Sequence, residues 1–182
     1  EGMYTVILGN KVATIGEGAF ANAWFEKVEL GSGVKTIGVN AFVGANINEF
    51  VMGPNVTEIK DAAFGEVHFK ELVMGNKVSK LGTYVFVDSE LEKVVLSTAL
   101  KAIPEGTFAG AENLKEVFIP KTVTTIDTEA FAGCDNLKSV TFGSDINLSE
   151  IYNHTFSGCI SLESIVIPAG VVKFADGISK EI

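Results

Sequence analysis

Leu114-Lys115-Glu116-Val117-Phe118-Ile119-Pro120-Lys121-Thr122-Val123-Thr124-Thr125-Ile126, continued by Ala130-Phe131-Ala132-Gly133-Cys134, holds one complete unit of a recurring pattern. Val117 and Ile119 alternate with polar or outward residues, the period of a short strand with one buried face. Pro120 has no backbone N–H and ends that strand. Val123 and Ile126 then mark a second extended piece, and Phe131 follows Ile126 by five residues.

Working outward, the same spacing returns in both directions. Phenylalanine recurs at Phe20, Phe42, Phe64, Phe86, Phe108, Phe131 and Phe156, each five residues after Ile15, Ile37, Ile59, Leu81, Ile103, Ile126 or Ile151. Three residues before those stand Val12, Val34, Val56, Val78, Leu100, Val123 and Leu148. The alternating pairs are Val6/Leu8, Val28/Leu30, Phe50/Met52, Leu72/Met74, Val94/Leu96, Val117/Ile119, Val140/Phe142 and Ile165/Ile167. Each pair is followed by glycine, proline or, at Ser97, serine. Units of 22 residues, lengthening to 23 and 25, are the signature of a solenoid whose coils bury a core between neighbours. About eight repeats follow, spanning 1–182 as one domain of short parallel strands.

Alanine precedes the phenylalanine at Ala19, Ala41, Ala63 and Ala130, which predicts one short helical turn held by packing. A further inward residue closes each unit: Phe25, Ile47, Phe69, Leu91, Leu114, Leu137 and Leu162. The extra residues around Asp145-Ile146-Asn147 predict a bulging loop. Phe174, Ile178 and Ile182 recur every four residues, a pattern that fits a terminal helix capping the stack over 171–182. Val6 and Leu8 begin a repeat almost at once, so the first strand has an edge open to self-association or a further repeat.

The pattern of 114–134 resembles the BspA-like class of leucine-rich repeat, and the resemblance covers nearly the whole chain. The early units depart from it, with glycine in place of proline after the strand and one residue fewer. The resemblance implies a bacterial or protozoan protein, secreted or on the cell surface, that binds other proteins or cells in adhesion. It implies no shared catalytic residues, so none is carried over, and an enzyme is not expected.

Composition narrows the partners. The chain has 23 acidic residues against 14 basic ones, a net charge of −9, and every basic residue is lysine. Nucleic-acid readers rely on basic faces and arginine forks, so nucleic acid is a poor fit. No apolar run approaches the roughly 18 residues of a membrane span, and the first residues lack a signal-peptide pattern.

Few residues offer chemistry. Cys134 and Cys159 stand three after successive phenylalanines, where other units hold Ala23, Ala45, Val67, Ser89 and Ala111. Small core thiols are expected there, although one coil step also lies within the reach of a disulfide. His68 and His154 fall on turns several repeats apart and cannot share a metal. No metal, nucleotide or nucleophile motif is present, and no cofactor is expected. Asn55-Val56-Thr57, Asn147-Leu148-Ser149 and Asn153-His154-Thr155 match the glycosylation pattern by residue type alone. Asp145 and Asn147 fall short of the six or more oxygens that calcium takes.

One column stands out. The outward residue of each first strand reads Ile7, Glu29, Val51, Val73, Val95, Phe118, Thr141, Val166, six of eight apolar. β-propensity is one explanation and a contact surface the other. Charged columns flank it, with Lys27, Glu49, Glu71, Lys93 and Glu116 in one. Val51, Val73, Val95, Phe118, Glu71, Lys93 and Glu116 are therefore the candidate partner-binding residues. A stiff spacer that presents another domain and has no ligand of its own is the alternative.

Overall fold

The computed structural model describes residues 4–174 and is a parallel β-solenoid of about eight coils. Each coil has three sides. The first-strand side comprises β1 (Tyr4–Ile7), β3 (Trp24–Glu29), β5 (Asn46–Val51), β7 (Glu71–Val73), β9 (Lys93–Val95), β11 (Glu116–Ile119) and β13 (Ser139–Phe142). The second-strand side comprises β2 (Thr14–Ile15), β4 (Thr36–Ile37), β6 (Glu58–Ile59), β8 (Lys80–Leu81), β10 (Ala102–Ile103), β12 (Thr125–Ile126), β14 (Glu150–Ile151) and β15 (Lys173–Phe174). The third side is the phenylalanine turn.

All strand pairs are parallel and join consecutive coils, as Val28 to Phe50 and Ile37 to Ile59. Equivalent residues therefore stack, and the columns read in the sequence become physical columns. Val34, Val56, Val78, Leu100, Val123 and Leu148 are fully buried, as are Ile37, Ile59, Ile103, Ile126 and five of the phenylalanines. The rings of Phe20, Phe42, Phe64, Phe86, Phe108, Phe131 and Phe156 stack in an unbroken file with centroids 5.1–5.6 Å apart and planes within 17°. Offset stacks of this kind add to the burial of the rings.

The turn around each phenylalanine is not helical, and no helix occurs among the described residues. Its amides alternate in purpose. Ala41 N–H bonds locally to Gly38 O, whereas Phe42 N–H reaches the next coil at Ala63 O, 2.8 Å away. Residues two before and two after the phenylalanine adopt left-handed backbone, among them Asn40 (φ 53°), Gly44 (φ 63°), Gly106 (φ 58°) and Gly110 (φ 70°). A left-handed residue at both ends stops helix propagation, and alanine serves close approach between coils instead.

Two other expectations are corrected. Ile165–Ile167 forms no strand, although Ile165 and Ile167 still pack partly against the core, while Val166 points outward. Phe174 lies in β15, opposite Ile151, so the second-strand ladder continues there rather than giving way to a helix. Ile178 and Ile182 lie outside the described residues.

Candidate functional site

The first-strand side exposes its outward column. Val73 is 64% exposed, Val95 45%, Phe118 55% and Val166 82%. Val73 stands beside Val95 and Phe118 beside Thr141 in register, while Glu29 separates Ile7 from Val51. The stripe is thus densest from β7 to β11.

Charges flank it as the alternation predicts, in part. Lys27 pairs with Glu49 at 3.0 Å and Glu29 at 3.3 Å. Glu92 sits between Lys70 at 3.1 Å and Lys115 at 2.5 Å. Lys115, and then Lys70, hold the Glu92 carboxyl below its ordinary value, and hydrogen bonds to Glu49 and Glu29 hold the Lys27 ammonium above its own. Lys93 lies in register with both Glu71 and Glu116 but makes no ion pair with either. These exposed pairs set register more than they stabilise.

The sheet on this side is in two pieces. β1, β3 and β5 form one, and β7, β9, β11 and β13 the other. A single bridge, Asn46 to His68, joins them before the coils part. Leu30 N–H bonds to Val51 O at 3.0 Å and Met74 N–H to Val95 O at 2.9 Å, yet the equivalent Met52 N–H and Val73 O make no such bond. Two features of the side chains coincide with the seam. Phe50 replaces the Val28 and Leu72 of adjacent coils and stacks on Phe69, with centroids 5.5 Å apart, while both rings abut Phe64 edge-on. The seam coincides with this contact between two rings, where the neighbouring coils carry aliphatic side chains. Glu49 and Glu71 are also the one like-charged step in their column, which disfavours direct pairing. The resulting groove is lined by Glu49, Phe50, Val51, Met52, Glu71 and Val73, with His68 and Glu90 paired at one end, 2.9 Å apart.

His68 is therefore on the strand face, not on a convex turn as its spacing had implied. His154 does lie on the turn, with left-handed backbone (φ 56°). Farther along the strand face, β9 and β11 pair in register only at Lys93 and Glu116, where the repeat lengthens by one residue.

A second seam opens on the second-strand side between β8 and β10. Gly82 N–H bonds to Ile59 O at 2.8 Å and Asp127 N–H to Ile103 O at 2.9 Å. The residue between them in the column is Pro104, which has no N–H for Leu81 O. Leu81 is accordingly only partly buried, unlike the isoleucines of its column.

Cys134 and Cys159 are buried free thiols whose Sγ atoms donate to Phe108 O at 3.2 Å and Phe131 O at 3.0 Å. The adjacent Cys159 sulfur, and then burial, push the Cys134 thiol far above its ordinary value, so it behaves as a small apolar side chain. Of the glycosylation-pattern residues, Asn55 is engaged with Ser32 O and Lys77, and Thr155 is buried, while Asn147 is exposed. Among the described residues no cluster of histidine, cysteine and carboxylate could hold a metal, and no helix is long and apolar enough to cross a membrane.

The seams were missed by sequence reasoning, although their signals were present. Phenylalanines at 50 and 69 in mostly aliphatic columns, the Glu49–Glu71 step and a lone proline at 104 all break the periodicity.

Comparison with known proteins agrees with this architecture. The BspA type leucine rich repeat region matches in six copies over residues 2–92 and 79–178. No curated protein matches the chain in sequence. A Treponema pallidum leucine-rich repeat protein of known structure is similar at 25% identity and a TM-score of 0.79, over 88% of this chain and 78% of that one. A Eubacterium ventriosum leucine-rich repeat protein is similar at 22% identity and a TM-score of 0.66, over 94% of this chain but only 55% of that longer one. The pneumococcal vaccine antigen PcpA shares the fold at 18% identity and a TM-score of 0.56, over 91% of this chain and 50% of its own.

Proposed function

The chain belongs to the BspA-type leucine-rich repeat family, and we propose that it is a non-enzymatic interaction module, secreted or displayed on a cell surface. It binds a protein partner through the first-strand face, in an adhesive role. The observation that carries this reading is the contiguous exposure of Val73, Val95 and Phe118 on a rigid sheet, with Glu71, Lys93 and Glu116 alongside. Exposed apolar patches edged by polar residues mark protein contacts, and a rigid sheet presents them without an ordering cost.

The test uses a panel of purified extracellular-matrix and serum proteins. A partner bound by the parent chain and lost at least about ten-fold in Val73→Asp/Val95→Asp, at unchanged Tm, supports the reading. Equal binding by the variant overturns it. A spacer without a ligand is favoured by one observation, the unbroken phenylalanine file that stiffens the rod, and it predicts no specific partner for either protein.

A further inference from the structure

We propose that the seam between β5 and β7 is a subsite for a basic side chain, an arginine or lysine carried on an extended apolar segment of the partner. This rests on the strand-face reading and names the chemistry of part of that surface. Three observations meet at the seam. Glu49 and Glu71 stand one coil apart on the same side; Lys27 engages Glu49, while Glu71 has no ion pair among the described residues. Every other step of that column from Lys27 to Glu116 alternates in sign, so this is the place where a cation from outside completes the pattern. An arginine fork can engage two carboxylates at once, and a lysine ammonium can bridge them.

The second observation is the backbone. Met52 N–H and Val73 O, which do not bond to each other, offer one donor and one acceptor inside the groove beside the Phe50–Phe69 stack. An extended peptide uses such groups when it lies against a strand edge. The third is the apolar wall of Val51, Met52 and Val73, which suits short aliphatic residues on either side of the basic one. Of the neighbouring basic groups, Lys27, Lys70 and His68 are engaged with Glu49, Glu92 and Glu90, and Lys93, in register with Glu71, makes no ion pair with it, so the Glu71 carboxylate is the one left open to a cation from outside.

The experiment titrates the ¹⁵N-labelled chain with two synthetic peptides, acetyl-Thr-Val-Arg-Val-Thr-amide and its counterpart with Glu replacing Arg. The arginine peptide is expected to move the Met52, Glu71 and Val73 amides saturably, at least about ten-fold more tightly than the glutamate peptide. Glu71→Gln is expected to weaken it about three-fold or more, with the rest of the spectrum unchanged. Equal shifts by both peptides, no saturable shift at the seam, or the same shifts from calcium chloride alone overturn the subsite. Shifts confined to Val95 and Phe118 overturn the subsite while leaving the strand-face reading intact. Conversely, seam binding of the arginine peptide beside a Val73→Asp/Val95→Asp variant that keeps its protein partner upholds the subsite and removes the wider face.

Discussion

The phenylalanine side and the strand side of the solenoid share one repeat, yet only the first is continuous. Each phenylalanine N–H from Phe20 to Phe131 donates to the next coil at 2.8–2.9 Å, and the seven rings form an unbroken file. The strand side parts between β5 and β7, and the second-strand side between β8 and β10. The two partings are one coil out of step, so residues 71–81 are tied to the following coil on one side and to the preceding coil on the other. The phenylalanine turn is the spine that crosses both. Packing of identical rings penalises substitution, whereas strand faces, solvated on one side, can vary in shape and charge to suit a partner.

Breaking the spine has the largest expected effect. Phe86→Ala empties the file at a fully buried position and is expected to cost about 3–5 kcal/mol in urea unfolding. A loss under about 1 kcal/mol, less than the burial of one ring, would mean that Phe86 does not face inward. Phe50→Leu, at the partly buried seam, is expected to cost under about 1.5 kcal/mol, because the smaller side chain lets the coils close.

Smaller changes sharpen the comparison. Ser89 occupies the column of Ala45 and Ala111 with a buried hydroxyl that has no hydrogen-bond partner. Ser89→Ala is expected to stabilise by about 1 kcal/mol, measured by the denaturation midpoint at constant slope. Pro104→Ala supplies the missing donor for Leu81 O, while giving back flexibility to the unfolded chain, so the net change in stability is expected within about 0.5 kcal/mol. Its readout is the new amide at position 104, which exchanges slowly if the second seam closes and fast if it stays open.

The smallest effect is electrostatic. The Glu92 carboxyl is held below its ordinary value of 4.5 by Lys115 and Lys70, so its pairing contributes above that value and is lost as pH falls through the lowered one. Glu92→Gln is expected to lower Tm slightly at neutral pH and to match the parent once the pH lies below the lowered Glu92 value. A constant difference across that range would show that the pairing does not report through Glu92.

Much of this was legible in the sequence because a solenoid converts sequence period directly into spatial columns. Phe42, Ile37 and Val34 were placed inside by spacing alone, and the exposed column through Val73 and Phe118 followed from the strand period. What was not legible depends on relations between columns. The Phe50–Phe69 contact joins two columns that the period treats as independent, and His68 continues the strand column of Trp24 and Asn46 rather than the turn. The non-helical turn escaped notice because Ala62, Tyr84 and Glu129 adopt left-handed backbone without being glycine or asparagine (φ 49°, 54° and 56°). Their N–H groups donate to the next coil at Thr83 O, Glu105 O and Asn153 O, which holds them there.

Amide hydrogen exchange at three equivalent positions tests the contrast between the sides most directly. Leu30 and Met74 donate to the following coil at 3.0 and 2.9 Å, whereas Met52, between them in the column, does not. Met52 is expected to exchange at least about a hundred-fold faster than either, while the amides of Phe42, Phe64 and Phe86 beside it remain protected. Equal protection of Met52, Leu30 and Met74 would contradict the account, because the strand face would then be as continuous as the spine.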